Sequence, residues 1–88
     1  MLRLEDVIEA TGAKVLRRGA DAFPGLSIDS RTIARDELFV ALRGERFDGH
    51  DFLQAALASG AAGAVIDRPI EKTGLRDESG KTILLVKD

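Results

Sequence analysis

The stretch Leu38-Phe-Val-Ala-Leu-Arg-Gly-Glu-Arg-Phe-Asp-Gly-His-Asp-Phe52 concentrates the residues of this chain that could do chemistry. An apolar run leads into a loop in which Gly44 and Gly49 bracket Glu45, Arg46, Phe47 and Asp48, and His50 opens an amphipathic segment. Such a strand-to-helix junction gathers backbone N–H groups and the positive end of a helix dipole, so it favours anions. The glycines let the loop bend tightly while it presents a ring and a guanidinium. A phosphate-bearing ligand is the natural candidate. The plainer reading is a connection whose charges serve solubility and whose Phe47 covers the core. His50 is the only histidine, and a lone histidine at a helix start is more often a structural hydrogen-bonding group than a base.

Asp29-Ser30-Arg31 also has two readings. As an Asx-type turn, Asp29 accepts from nearby backbone N–H groups and Ser30 is solvated. As a site, it offers a hydroxyl and a guanidinium at a strand end, donors suited to a diphosphate. With no second histidine, no cysteine and no carboxylate pair at ligand spacing, a metal site is not expected. Gly74-Leu-Arg-Asp-Glu-Ser-Gly-Lys-Thr82 imitates a phosphate-binding P-loop, but it has five residues between its glycines. The motif has four, and a helix follows it, whereas an apolar strand follows here. Gly80-Lys81-Thr82 therefore reads as a turn, not an ATP site.

The elements that would position these residues are legible from pattern. Leu4, Val7 and Ile8 recur at helical spacing, with Glu5 and Asp6 in the first turn and Gly12 as a stop. Ala13 to Arg18 alternates as a short edge strand, and Asp21 to Gly25 is a turn by composition. Leu26-Ser27-Ile28 is a strand, and Leu38 to Leu42 is a strand buried on both faces. A second helix spans about Asp51 to Ser59, with Phe52, Ala55 and Ala56 on its packed face, Leu53 and Leu57 flanking, and Gly60 as its stop. Ala64 to Asp67 and Ile83 to Val86 complete the strands, and Arg68 to Lys81 is a polar excursion. Strand, helix, strand implies a crossover, hence an α/β fold: a small mixed, largely parallel sheet with helices packed on it.

Eighty-eight residues make one small domain, residues 1–88. A chain of this size buries roughly 60–65% of its unfolded surface, enough to fold with little reserve. The net charge of −2 gives no sign of a nucleic-acid or membrane-surface binder. The absence of cysteine excludes disulfides and thiolate chemistry. No apolar run approaches the roughly 20 residues that span a bilayer, and the acids in Met1-Leu-Arg-Leu-Glu-Asp6 break any secretory pattern. A cytoplasmic protein without membrane or nucleic-acid partners is expected.

Ile28 to Arg31, Glu37 to Phe52, Ala56 to Ile66 and Leu84 to Asp88 together resemble the N-terminal domain of the Mur ligases, the ATP-dependent enzymes that build the peptide stem of bacterial peptidoglycan. The resemblance covers essentially the whole chain and is specific in the 28–31 and 38–52 blocks. The Gly-Glu-Arg-Phe-Asp-Gly-His loop is most similar to the branch that adds D-alanyl-D-alanine. The diaminopimelate- or lysine-adding branch is the alternative, and a stand-alone nucleotide-binding module is another. The resemblance implies a UDP-binding domain for UDP-N-acetylmuramoyl-tripeptide, with ATP, Mg and the incoming dipeptide held by central and C-terminal domains absent here. It implies acyl-phosphate formation at the tripeptide carboxylate and attack by the dipeptide amine in the intact enzyme. No catalytic residue and no cofactor are expected in this chain. By position the resemblance places Ser30 near the diphosphate, Gly44, Glu45, Arg46 and Phe47 along the uridine diphosphate and Ile28 beside the uracil. Asp29, Arg31, Asp48, Gly49 and His50 belong to the same blocks.

Overall fold

The computed structural model describes residues 1–41, 43, 48–75 and 80–87. β1 (Leu2–Arg3) runs straight into α1 (Leu4–Thr11), which carries Glu5 and Asp6 in its first turn, where the helix dipole favours acids. Gly12 ends α1 at φ 70°, a left-handed position that glycine adopts without strain, and returns its N–H to the Ile8 carbonyl at 2.8 Å. β2 (Lys14–Arg17) follows, then β3 (Ala22–Phe23) and β4 (Leu26–Ser27). The Asp21–Gly25 segment, a turn by composition, is therefore partly a strand: β3 pairs antiparallel with β1, Leu2 opposite Phe23. Burial of the Phe23 ring, which is fully inaccessible, outweighs the turn signal of Pro24-Gly25.

β5 (Leu38–Val40), α2 (Leu53–Ala58), β6 (Gly63–Ile66) and β7 (Thr82–Leu85) complete the elements that build the sheet. The strand order is β2-β7-β6-β5-β4, with β4 to β7 parallel and β2 antiparallel to β7. The mixed, largely parallel α/β sheet expected from the sequence is thus present, with Lys14–Arg17 as its antiparallel edge. β5 is shorter than read from pattern, and Leu42 lies outside the described residues.

Side chains alternate across the sheet. Phe39, Ala64, Ile66 and Ile83 face α2 and pack with Leu53, Ala56, Leu57 and Ala61. Leu38, Val65 and Leu84 face the other way, against Leu4, Val7, Ala13 and Phe23. A fully buried Leu, Ile or Phe contributes about 1.5–3 kcal/mol, so both faces matter. Gly63 sits where a Cβ would collide with the Thr82 carbonyl and approach the Thr82 Cβ at 2.9 Å, so the two strands close only around glycine.

The second helix differs from expectation at its start. Gly49–Phe52 forms a 3₁₀ turn, and the α-helix begins at Leu53. The buried stripe is Leu53, Ala56 and Leu57, while Phe52 and Ala55 are exposed. The tighter winding of the 3₁₀ turn places Leu53, not Phe52, at the first inward position. The 68–81 excursion contains a 3₁₀ turn, Ile70–Lys72, and Ile70 and Leu75 pack against the α2-side core.

Candidate binding site

β4, β5 and β6 run parallel, so the residues following them emerge at one end of the sheet. Ligands of open α/β sheets bind outside those carboxyl ends. After β4 comes Ile28-Asp29-Ser30-Arg31, which with Phe52 lines a cavity of about 260 Å³. Ile28 and Phe52 form its apolar part and are 57% and 45% exposed. Asp29 fixes the turn: its carboxylate accepts from the Arg31 backbone N–H at 2.8 Å and from the guanidinium at 3.1 and 3.0 Å. These bonds from Arg31 hold the Asp29 carboxyl below the ordinary carboxylate range. Both readings of the triplet therefore coexist. Asp29 makes the Asx turn, and the turn holds a forked Arg31 at the cavity.

A second group of side chains lies after β5 and β6. Asp48 caps the 3₁₀ turn by accepting from the His50 backbone N–H at 3.0 Å. The same Oδ1 lies 2.6 Å from His50 Nδ1. On the far side of the ring, His50 Nε2 accepts the Asp67 backbone N–H at 3.1 Å. With Nε2 accepting that N–H, Nδ1 is the nitrogen that donates to Asp48. Asp67 follows β6 directly, and its carboxylate accepts from Arg68 Nε at 3.0 Å. Arg68 Nη2 is buried without an aligned hydrogen bond, and the Asp48 carboxylate 2.7 Å away compensates its charge. Arg43, bridged antiparallel to Asp48, lies 3.6 Å from Asp67 through Nη2. The His50 backbone bond, followed by the His50 ring and Arg68, pulls the Asp48 carboxyl well below its usual range.

The residues expected at the site therefore separate into three sets. Ile28, Asp29, Ser30 and Arg31 share one cavity. Asp48, Gly49 and His50 are at the same end of the sheet, but the His50 side chain is buried with both ring nitrogens engaged. Gly44, Glu45, Arg46 and Phe47 lie outside the described residues. Phe52, Asp67 and Arg68 were not anticipated. Asp67-Arg68 directly follows the apolar run of β6, and the position after a parallel strand was the available signal. Arg68, read as the start of a polar excursion, belongs to the Asp48–Asp67 network.

The Lys81 and Thr82 side chains are engaged within the fold. Lys81 donates from Nζ to the Ala61 carbonyl at 2.7 Å, and the buried Thr82 hydroxyl donates to Ala20 O and accepts from Gly19 N. Neither is presented to a phosphate. No group of three or more potential metal ligands occurs among the described residues.

The sequence model of the Mur ligase family, described as its catalytic domain, matches residues 22–83. This chain belongs to the Mur ligase family. The UDP-N-acetylmuramoyl-tripeptide–D-alanyl-D-alanine ligase of Treponema pallidum is 41% identical over 84% of the chain. The UDP-N-acetylmuramoyl-L-alanyl-D-glutamate–2,6-diaminopimelate ligase of Chlorobaculum tepidum is 43% identical over 67% of it. Crystallographic MurF from Acinetobacter baumannii superposes on 99% of the chain with a TM-score of 0.82 at 27% identity. The chain spans 17%, 12% and 18% of these relatives' own lengths. Its five-stranded sheet is thus the N-terminal fold of a MurF-like Mur ligase. Among the described residues no helix is long and apolar enough to cross a membrane.

Proposed function

We propose that this chain holds the uridine diphosphate end of UDP-N-acetylmuramoyl-tripeptide. It would do so as one domain of a cytoplasmic, ATP-dependent ligase that adds D-alanyl-D-alanine during peptidoglycan synthesis. The observation that carries this reading is the cavity at the carboxyl ends of the parallel strands. It is apolar at Ile28 and polar at Asp29, Ser30 and Arg31, a division that suits a base joined to a diphosphate. Arg31 is braced by Asp29 through Nε and Nη2, which fixes the guanidinium and leaves its Nη1 edge to meet a phosphate oxygen. The amide-forming chemistry, with ATP and Mg, belongs to the further domains implied by the family. These residues contribute binding and orientation, so that a carboxylate far along the substrate arrives correctly placed.

Heteronuclear NMR titration of the chain with UDP-N-acetylmuramoyl-tripeptide tests this. Saturable shifts at residues 28–31 and around Asp48 are expected, and the absence of binding at millimolar ligand would overturn the reading. The similarity to a diaminopimelate-adding ligase keeps that branch as the second reading. Assaying the intact enzyme with D-alanyl-D-alanine against diaminopimelate separates the two. Failure with both would favour a stand-alone nucleotide-binding module.

A further inference from the structure

Phe23 and Phe39 are wholly inaccessible, whereas Phe52 is 45% exposed and lines the cavity beside Ile28. An aromatic ring left out of a core whose neighbours are well buried needs a reason, because burying it would be favourable. The backbone holds it there. Asp48 caps the 3₁₀ turn that ends at Phe52. The next residue, Leu53, is fixed in the α2-side core. Phe52 thus stands between a capped turn and a buried anchor, which leaves its backbone little freedom. Its neighbours in the cavity are one apolar side chain and the polar Asp29-Ser30-Arg31 turn.

We propose that Phe52 is a further ligand-binding residue, the surface on which the planar base of the bound nucleotide stacks. Ile28 would cover part of the same base, and the Ser30–Arg31 side would meet the phosphates. This inference rests on the uridine diphosphate reading given above. Stacking on an aromatic side chain favours any base, since every base has a π-face. Phe52 would therefore supply affinity for the base, while discrimination among bases would come from other groups.

The chain contains no tryptophan, so Phe52→Trp places a single indole at the cavity. Titration with UDP is expected to quench its fluorescence saturably, and titration with pyrophosphate is expected to leave it unchanged. By calorimetry, Phe52→Ala and Phe52→Leu should each weaken UDP binding at least about fivefold, the lower bound for loss of one stacked base. Phe52→Tyr should keep wild-type affinity. Circular dichroism checks that each variant is folded, and the Leu and Tyr variants decide the matter if the Ala variant is not. Wild-type binding of UDP together with unchanged affinity in the Leu variant would overturn the role of Phe52 and leave the nucleotide reading standing. Failure of wild type itself to bind UDP would remove both.

Discussion

Asp67 donates its backbone N–H to His50 Nε2 at 3.1 Å, which ties the end of the middle strand of the sheet to the connection entering α2. His50→Ala would remove that acceptor, remove the donor facing Asp48, and leave a void at a buried position. The expected cost is about 2–4 kcal/mol, combining unsatisfied polar groups with lost packing. Urea denaturation should show a lowered midpoint with an unchanged slope. His50→Gln, which can both donate and accept, should recover part of the loss.

The lowered pKa of Asp48 makes its contribution depend on pH. Its carboxylate is favoured by folding, chiefly through the His50 backbone N–H. The stabilisation is therefore complete above the unfolded value of 3.8 and lost as pH falls below it. Melting temperatures of wild type and Asp48→Asn should differ most near pH 6, and the gap should narrow as pH falls from 4 to 2 without closing there. A gap that widened on acidification would reverse the assigned sign.

Thr82 joins the start of β7 to the turn before β3, through Gly19 N at 2.9 Å and Ala20 O at 2.8 Å. Thr82→Val preserves shape but strands both groups, and about 1–3 kcal/mol of stability should be lost. UDP binding at low denaturant should be unaffected. Since this hydroxyl and Lys81 are engaged within the fold, the chain is expected to release no phosphate from ATP, measured against a buffer control.

The guanidinium of Arg31 is 87% exposed, so its removal should affect the ligand more than the fold. Arg31→Ala is expected to weaken UDP binding by about 1–3 kcal/mol, the range for a charge-assisted hydrogen bond. The melting temperature should stay within about 2–4 °C, as for most exposed positions. Arg46, which lies outside the described residues, is assigned the same range from its place in the sequence alone. Calorimetry at two ionic strengths tests both, because a merely solubilising arginine would leave affinity unchanged at low salt.

Periodicity and punctuation made α1, β2, β6 and β7 legible, since Gly12 marks a helix end and the apolar runs fill both faces of the sheet. They failed where a non-local contact decided the outcome. Pro24-Gly25 signals a turn, yet Phe23 pairs with Leu2 and fills the core. The helical pattern placed Phe52 inward, but a one-residue change in winding at the 3₁₀ turn sends it outward. The Ile28–Arg31 block could be read as a site because its residue types suit one ligand. The pairings of His50 with Asp67 and of Asp48 with Arg68 could not, because they join residues seventeen and twenty positions apart and no local spacing encodes them.

The two apolar faces of the sheet draw on different parts of the chain. The buried residues of the α2-side core lie from Phe39 onward, with Leu16 and Ile33 packed at its margin, but Leu38, Val65 and Leu84 are covered by Leu4, Val7 and Ala13 as well as Phe23. The family model matches residues 22–83, so that interval invites excision as a minimal unit. Such a fragment would lose α1, the edge strand β2 and the part of β7 that carries Leu84, and with them the cover over Leu38 and Val65. It would aggregate rather than fold, since an uncovered apolar sheet face next to an unpaired edge recruits other copies. The stretch that the family model matches and the stretch that closes both faces of the sheet are therefore not the same.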